Sequence, residues 1–278
     1  MSQEALKRVD LHTHSTFSDG TVPPAEVVRR GKSAGLDALV LTDHDSVSGF
    51  PEAEAAAREL NVPLYCGIEI NTSQRDQVHI LGYGIRWRDP SFCARLEEFR
   101  ARRVVRVQRI VENLRKHGLD ISFEDVRATG LETLGRPHVA DALRRKKIVH
   151  SRKEAFTRFL VKGKPGYVDP MGPTPREAIE LICGAGGFAS VAHPETVKDL
   201  ALELPEWMAC GLEGVETYYG NHDPSAVRKF SQMTADFKLL STGGTDFHGP
   251  GSGRDQGLGV LVEKEIFDRF MERMARCN

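Results

Sequence analysis

The sequence lacks the cysteine spacing of a disulfide framework or of a thiolate metal site. Its five cysteines are an odd number, lie far apart and form no CxxC pair; they are Cys66, Cys93, Cys183, Cys210 and Cys277. Scattered cysteines of this kind fit a reducing compartment better than a secreted, disulfide-bonded fold. We therefore expect a cytoplasmic protein.

Long apolar runs and an excess of charge are also missing. No uninterrupted apolar stretch approaches the roughly 20 residues that span a bilayer, and residues 1–10 lack the apolar core of a signal peptide. The 38 basic and 39 acidic residues leave a formal charge of −1, so overall charge favours neither a membrane nor a nucleic-acid partner. The prediction is a soluble protein without a membrane partner or an evident obligate protein partner.

The sequence does contain a strand–helix alternation that is interrupted once. Short apolar runs alternate with helical patterns over residues 1–90 and again over 163–278, which favours parallel βα units in an α/β fold. Residues 91–162 show helical periodicity and almost no strand signal. We predict a barrel domain over 1–90 and 163–278, with a helical insertion or lid over 91–162. The predicted strands are 9–11, 38–41, 62–70, 78–83, 188–191, 212–217 and 239–242.

Histidine placement is the most informative feature. His12 and His14 form an H-x-H pair after the first predicted strand, and residues two apart in an extended chain project to the same side, so both imidazoles can reach one metal ion. The other candidates, histidines and carboxylates, mostly lie beside later strand ends: Asp19, His44, Glu69, His79, His193, Asp246 and His248. Any one of these histidines is more often a structural residue than a ligand. The whole set is hard to obtain by accident and favours a metal site.

These nine nitrogen and oxygen ligands converge if the strands close into a barrel, because barrel enzymes build their sites at the carboxyl ends of the strands. One ion takes roughly four to six ligands, so two or three divalent ions are implied. Imidazole and carboxylate suit Zn, Mn or Fe. Clustered divalent ions suit phosphoryl transfer, because they activate a water nucleophile and stabilise charge on the phosphoryl oxygens.

The motif set resembles that of the PHP (polymerase and histidinol phosphatase) family. The matching motifs are His12-Thr13-His14-Ser15, Ser18-Asp19-Gly20, Thr42-Asp43-His44-Asp45, Gly67-Ile68-Glu69, His79, Ala192-His193-Pro194 and Thr245-Asp246-Phe247-His248. The resemblance runs from about Val9 to Leu261 and is strongest to stand-alone phosphoesterases that act on nucleoside 3′,5′-bisphosphates or trim RNA 5′ ends. It implies a distorted (βα)7 TIM-like barrel and a trinuclear metal centre. Thr245 stands where relatives often have Ser, which puts no ligand in doubt.

The resemblance also implies a role for each ligand. Carried over residue by residue, the first ion would be held by His12, His14, Glu69 and Asp246. The second would be held by Glu69, His79 and His193, with Glu69 bridging. The third would be held by Asp19, His44 and His248. His193 and Asp246 are the predicted catalytic residues, and the leaving group would be protonated by His193, if it is free of metal, or by a water molecule.

Phosphate must also be bound by cations. Arg136 and His138 resemble an R-x-H motif that contacts substrate phosphate in these relatives, and Lys164 resembles a loop lysine that does the same. His222, after a predicted strand, is a further candidate for substrate contact. Arg254 is a weaker loop candidate. We interpret the arginines at 100, 102, 103, 106 and 109 as a solvated helix face, which would guide a nucleic-acid backbone only if it faced the site.

The predicted function is hydrolysis of a phosphomonoester on a small phosphorylated substrate, a nucleotide or the 5′ end of a short RNA. A cyclic phosphodiesterase acting on a small phosphorylated sugar is an alternative within the same chemistry. A metal-stabilised interaction module without catalysis is an alternative outside enzymology. A fourth possibility, an amidohydrolase, also begins with H-x-H on a barrel strand, but Asp19 and Glu69, without an evident bridging-lysine motif, argue against it.

Overall fold

A computed structural model describes residues 6–74, 78–254 and 257–277 of the chain. Its strands are β1 Leu6–Thr13, β2 Ala38–Leu41, β3 Leu64–Asn71, β4 His79–Tyr83, β5 Phe188–Val191, β6 Leu212–Tyr219, β7 Leu240–Gly244 and β8 Val260–Glu263. Its α-helices are α1 Pro24–Ala34, α2 Phe50–Leu60, α3 Pro90–Lys116, α4 Phe123–Arg127, α5 Arg136–Arg145, α6 Arg152–Ala155, α7 Pro175–Gly184, α8 Leu200–Ala209, α9 Pro224–Asp236 and α10 Lys264–Ala275. A π-helical turn follows α6 at Phe156–Leu160, and a 3₁₀ turn follows β5 at Pro194–Thr196. Within these described ranges, no helix is both long and apolar enough to cross a membrane.

The strands form one sheet in the order β7-β6-β5-β4-β3-β2-β1-β8, which curls into a nearly closed barrel. Beyond β7, the His14 N–H donates to the Phe247 carbonyl at 2.8 Å, and Gly244 lies against the backbone of His12, so the end of β7 returns to β1. Helices surround the sheet. The prediction of an α/β, TIM-like barrel is confirmed.

The prediction of parallel βα units is wrong for β4, and the structure adds a second antiparallel strand that was not predicted. β4 runs antiparallel to both β3 and β5, because the connection from β3 to β4 is too short for the crossover of a dozen or more residues that parallel strands need. β8 is an unpredicted strand that pairs antiparallel with β1. It has only four residues and alternates weakly in burial, so its sequence signal is slight. α8 is also unpredicted, and Pro205 in its interior is atypical of a helix.

Residues 91–162 fold as helices in the described structure, and the long helix α3 joins them to the barrel. Asp89 caps α3 by accepting from the Ser91 and Phe92 N–H groups. The first turns of α3 bury Phe92, Leu96 and Phe99 in the barrel core. Its later turns contribute to a separate apolar cluster with α4, α5 and the π-helical turn: Val107, Ile110, Leu114, Val126, Val139, Leu143 and Leu160 are among its members. One helix therefore belongs to both cores.

Substituting Gly244 with Ala tests how closely the barrel ends approach. A Cβ at this position would lie 2.5 Å from the Cβ of His12 and 2.6 Å from its backbone nitrogen, so the closure between β7 and β1 must shift. We expect Gly244→Ala to lower the free energy of unfolding by about 1–3 kcal/mol, measured by chemical denaturation of the metal-stripped protein. Gly184→Ala is the control, because a Cβ there meets nothing within 4 Å and lies in a helix. Equal stability of the two variants would contradict the expectation.

Candidate metal centre

All nine predicted ligands lie together at one end of the barrel. His12 and His14 come from the end of β1, His44 follows β2, and Glu69 lies near the end of β3. His193 follows β5, and Asp246 and His248 follow β7. His79 is the first residue of β4, and because β4 runs antiparallel, its start lies at the end where the parallel strands finish. The reversal of this one strand therefore places His79 opposite Asn71, beside the other ligands.

Four ligand atoms surround a common centre. His12 Nε2 lies 3.2 Å from Glu69 Oε2 and 3.4 Å from Asp246 Oδ1. His14 Nε2 lies 3.1 Å from the same glutamate oxygen and 3.3 Å from the same aspartate oxygen. Ligands at 2.0–2.2 Å from a tetrahedral zinc ion are roughly 3.3–3.6 Å apart, so the spacing suits a divalent ion. This is the set that the resemblance implies for the first ion.

Two further groupings share residues with the first. Asp19 Oδ1 lies 3.0 Å from His248 Nε2 and 3.6 Å from His44 Nε2, and His14 belongs to the same group. Glu69 Oε1 lies 2.8 Å from His79 Nδ1 and 3.1 Å from His193 Nε2. Glu69 Oε2 faces His12, His14 and His44. The two oxygens of one carboxylate thus face different groups, which is the position a bridging ligand needs.

Unpaired polar atoms test whether these residues fit metal ions. In the described part of the chain, eight buried side-chain nitrogen or oxygen atoms have no hydrogen-bond partner, and five belong to predicted ligands: His12 Nε2, His14 Nε2, Asp19 Oδ1, Glu69 Oε2 and Asp246 Oδ1. Buried polar atoms normally have a partner, and leaving one unpaired is costly. Nitrogen and oxygen atoms gathered at these distances without hydrogen bonds are what divalent cations would coordinate. The residues fit the implied ions.

The charges of the cluster are strongly coupled. Burial alone would lower the pKa of His12, but the carboxylates of Glu216, Glu69 and Asp246 outweigh it and hold the pKa well above its usual value. The pKa of His14 rises to about 9, because Asp246 and Glu69 outweigh its burial. Burial would raise the pKa of the buried carboxylates, but the surrounding cations hold the pKa of Asp19, Glu69 and Asp246 well below the usual range. Because a metal ion binds the neutral imidazole, metal binding at His12 and His14 would displace protons.

Carboxylates outside the predicted set hold the ligands in place. Glu216, fully buried in β6, accepts from His12 Nδ1 at 2.9 Å and from the His193 N–H at 2.6 Å. Asp10, also fully buried, accepts from the Thr245 hydroxyl at 2.6 Å and thereby ties the end of β1 to the loop of Asp246. Sequence reasoning missed both residues. Their signal was an acidic residue next to an apolar residue in the buried part of a strand, Asp10 after Val9 and Glu216 after Val215, where an unpaired charge would be too costly.

Among the described residues, the backbone at or next to the ligands adopts left-handed angles at three non-glycine residues, one of which is Asp45, next to His44, with φ of 50°. Asp246 has φ of 53° and His193 has φ of 29°. Such angles cost free energy for L-residues and persist where surrounding contacts impose them, often at functional sites. Here the contacts are visible, because Asp246 Oδ2 accepts from the Tyr219 hydroxyl at 3.1 Å and from Arg254 at 2.5 Å.

A cavity of about 630 Å³ opens onto Asp19, His44, His79 and His248. Its wall combines positive charge with apolar surface. The cationic side chains are Arg103, Arg106, Arg136, Arg152, Lys153 and Arg254. The apolar ones include Phe99, Val107, Ile110, Leu134, Phe156 and Met171. Nearly half of the residues that line the cavity come from the helical insertion.

Of the four predicted substrate-binding residues, one lines the cavity and three do not. Arg136 lines the cavity, with its guanidinium 5.6 Å from the centre of the Phe156 ring. Lys164 does not line it and lies in an exposed turn after the π-helical segment. Backbone hydrogen bonds close the loop at Lys164 into a turn. The geometry therefore does not support the prediction that Lys164 binds substrate.

His138 and His222 are also placed away from the cavity wall. His138 is buried, its Nδ1 accepts from the Gly135 N–H and its Nε2 donates to the Ser18 carbonyl, so neither nitrogen remains for substrate. Burial lowers the pKa of His138 to about 4, which keeps the ring neutral. His222 stacks on Phe230 at 5.1 Å and bonds the Thr217 carbonyl at 2.9 Å, so the structure gives it a packing role.

The interpretation of the α3 arginines as a solvated face is wrong in part. Arg103 and Arg106 line the cavity. Arg103 pairs with Asp45 at 2.9 Å, and Arg106 donates to the Val168 carbonyl at 2.7 Å. The mixture of acidic and basic residues along α3 concealed this, because only its three-dimensional packing shows which side meets the barrel. Arg254, considered a weaker candidate, lies directly beside Asp246.

Comparison with known proteins places the site in a family. The family model described as PHP domain matches residues 10–167, more than half of the 278-residue chain. A 3′,5′-nucleoside bisphosphate phosphatase of Chromobacterium violaceum is 34% identical over 261 residues, which cover 91% of each chain. A 5′-3′ exoribonuclease of Haemophilus influenzae is 32% identical over 252 residues, which cover 88% of this chain and 91% of the relative.

Solved structures agree in fold. A protein assigned as a metal-dependent phosphoesterase from Bifidobacterium adolescentis superposes with a TM-score of 0.86 at 31% identity, covering 96% of each chain. A protein described as an amidohydrolase from Chromobacterium violaceum, with bound sulfate and no metal, also reaches 0.86 at 32% identity over 96% of each chain. The comparisons confirm the predicted family resemblance and the prediction of a phosphoric ester hydrolase. The chain belongs to the PHP domain family.

Proposed function

We propose that this protein is a metal-dependent phosphomonoesterase that acts on a small nucleotide of the nucleoside 3′,5′-bisphosphate type. One observation carries the proposal: a cluster of unpaired buried imidazole and carboxylate atoms opens onto a cavity with six cationic side chains. The cluster suits divalent cations, and the cationic wall suits a polyanionic substrate. The named activity of the Chromobacterium violaceum relative supports the substrate class.

The ligand groups would hold two or three divalent ions, for which the donor set suits Mn, Zn or Fe. We assign His12, His14, Glu69 and Asp246 to one ion, Glu69, His79 and His193 to a second, and Asp19, His44 and His248 to a third. Bound ions would supply Lewis acidity toward the phosphoryl oxygens and an activated water nucleophile.

The protein's own side chains would bind and orient the phosphate. Arg136, at the start of α5, would present its planar guanidinium to two phosphate oxygens, and the nearby ring of Phe156 would pack against it. Arg254 would bind a phosphate oxygen from the other side while holding Asp246 Oδ2. The apolar wall of Phe99, Leu134 and Met171 would pack against the base and exclude water from the charged end.

We propose that His193 and Asp246 contribute to catalysis mainly by binding the metal ions. His193 Nε2 lies 3.1 Å from both Glu69 Oε1 and His79 Nδ1, inside the ligand cluster. Its ring is held by Thr196, whose hydroxyl lies 3.1 Å from Nδ1. Asp246 presents Oδ1 to His12 and His14 while Oδ2 is held by Tyr219 and Arg254. Both side chains are therefore oriented before substrate binds.

We further propose that residues 91–162 act as a unit distinct from the barrel of 1–90 and 163–278. The separate apolar cluster of the insertion supports this division, and the insertion supplies nearly half of the residues that line the cavity. A cytoplasmic location is proposed from the cysteines, which are all free.

A 5′-3′ exoribonuclease acting on short RNA is the second candidate. Arg103 and Arg106, three residues apart on one face of α3, both line the cavity and would contact a phosphate backbone beyond the reacting group. The named activity of the Haemophilus influenzae relative supports this candidate.

Metal analysis and a substrate panel together test the proposed function. We expect purified protein to contain two or three Mn, Zn or Fe ions per chain, to lose phosphate release on chelation and to regain it with added Mn²⁺. The panel contains a nucleoside 3′,5′-bisphosphate, a nucleoside monophosphate, a cyclic phosphate, a 5′-phosphorylated oligoribonucleotide and an N-acyl amide. We expect the highest kcat/KM for the bisphosphate. Tight metal binding without turnover would favour an interaction module, and amide cleavage would favour an amidohydrolase.

Substitutions should separate metal binding from substrate binding. We expect His14→Ala and Asp246→Ala to abolish turnover, because each removes a ligand from the buried cluster. Arg136→Ala should mainly raise KM, by about 10–100-fold, since a charge-assisted hydrogen bond contributes about 1.5–3 kcal/mol. Arg109→Ala, an exposed arginine of the same insertion, is the control. Full activity of metal-stripped His14→Ala protein would refute the ligand assignment.

Glu216→Gln tests the carboxylate that sequence reasoning missed. The amide cannot accept from His12 Nδ1 and the His193 N–H with the strength of a carboxylate, so both ligands lose orientation. We expect metal affinity to fall about 10–100-fold, as is typical when a ligand's hydrogen-bond partner is replaced. The measurement is a competition titration with a chelator. Glu213→Gln on the same strand, whose side chain pairs with Arg273 instead, should leave the affinity unchanged.

A further inference from the structure

The helical insertion holds the turn that carries Asp19. Three successive carbonyl oxygens of this turn accept hydrogen bonds from insertion residues: Phe17 from the Thr133 N–H at 3.3 Å, Ser18 from His138 Nε2 at 3.0 Å, and Asp19 from Arg152 at 3.1 Å. On the barrel side, the turn is closed by the Ser18 and Gly20 N–H groups, which both donate to the Ser15 carbonyl. The position of the turn therefore depends on both parts of the chain.

The two side-chain donors are themselves fixed. The Gly135 N–H donates to His138 Nδ1 at 3.0 Å, which leaves the ring proton on Nε2, facing the Ser18 carbonyl. Asp141 accepts from Arg152 Nε at 3.0 and 3.1 Å and from its terminal nitrogen at 2.5 Å. The side chains of this pair are only 10% and 12% exposed, so solvent competes weakly for either partner. A planar guanidinium held on one edge can direct its other edge at the Asp19 carbonyl.

We propose that His138, Asp141 and Arg152 are positioning residues for Asp19 and thereby set the affinity of one metal subsite for its divalent ion. We call this the Asp19 subsite and define it by Asp19, His44 and His248, the ligands assigned above to the third ion; His14, assigned to the first ion, lies beside them. The inference rests on the proposed function, because it requires that the cluster binds metal.

The geometry of the subsite explains the dependence. Asp19 Oδ1 is buried, has no hydrogen-bond partner and lies 3.0 Å from His248 Nε2. Metal ligands tolerate displacements of only about 0.2 Å. A turn released from the insertion would carry the Asp19 carboxylate away from His44 and His248, which are attached to other strands. The metals of the other two groups do not use Asp19, so their affinities should be preserved.

Asp141→Asn is the most direct test, with Asp120→Asn as its matched control. Asp141→Asn removes the carboxylate that fixes Arg152. Asp120→Asn makes the same change elsewhere in the insertion, at a side chain that is 95% exposed and pairs with Lys146 at 3.1 Å. Each protein is stripped, reloaded with Mn²⁺ alone and titrated by calorimetry with elemental analysis. We expect Asp141→Asn to bind one Mn²⁺ about 10–100-fold more weakly than the unmodified protein. The remaining ions should bind as before, and Asp120→Asn should match the unmodified protein.

A double-mutant cycle separates positioning from general destabilisation. If Asp141 acts through Asp19, then Asp19→Asn combined with Asp141→Asn should weaken Mn²⁺ binding no more than Asp19→Asn alone. Additive losses, or equal weakening of every Mn²⁺ site, would overturn the proposal. Arg152→Lys keeps the charge but loses the planar fork, and it replaces Asp141→Asn in the cycle if that variant does not fold, as judged by circular dichroism of the stripped protein.

The outcomes also distinguish this inference from the proposed function. An unmodified protein that binds no Mn²⁺ would overturn the proposed function. Normal Mn²⁺ binding by the unmodified protein, with the same stoichiometry and affinity in Asp141→Asn, would overturn only the positioning role.

Discussion

The convergence of buried charge on Glu69 is the constraint on which the rest of the site depends. A carboxylate with about 1% exposure cannot remain ionised in a protein interior unless cations or donors surround it. Here five imidazoles from four strands or their following loops lie within 3.2 Å of its two oxygens. Asp246, which follows β7, reaches His12 and His14 at the end of β1 only because the sheet closes. Closure of the sheet and assembly of the site are therefore one event, and metal binding should contribute directly to stability.

A ring of buried carboxylates around the cluster holds this arrangement together. Glu216 orients His12, Asp10 ties β1 to the loop after β7, and Asp43 accepts from the Ser15 N–H and from the hydroxyls of Ser15 and Ser18. Glu216 acts on the far nitrogen of His12 and on the backbone of His193, whereas Asp10 and Asp43 act on residues that lie next to ligands in the chain. Such partners fix the ring orientation and the tautomer of a ligating histidine. The hydrogen bonds that these carboxylates accept offset the cost of burying their charge.

Much of the fold and of the cluster was predictable because both leave local signals. Histidine or acid at a strand end marked most of the ligand positions, with His79 at a strand start and Asp19 in a turn, and the loss of strand signal marked the helical insertion. β8 and the reversal of β4 were not predictable from periodicity, because strand direction depends on the length of a connection and on partners far away in sequence. His138 shows the same limit for function. Its motif pointed to phosphate, but its two nitrogens are consumed by Gly135 and Ser18, a contact that spans 120 residues.

The insertion thus contributes both to the cavity wall and to the positions of metal ligands. This double role explains why the family is easier to establish than the substrate. Metal chemistry restricts the ligands to a few residue types at the barrel rim, so they leave a motif that resemblance detects. The cavity wall has no such restriction, since any combination of cation and apolar side chain on α3, α5 and α6 can face the ligands.

The same helices also form hydrogen bonds to the turn that carries Asp19. In addition, Arg100 and Arg103 of α3 form hydrogen bonds to the residue after His44. An insertion bound in this way cannot swing open as a hinged lid without disturbing Asp19 and His44. Changes in its helices would therefore alter substrate choice and metal affinity together, which couples specificity to the metal centre itself.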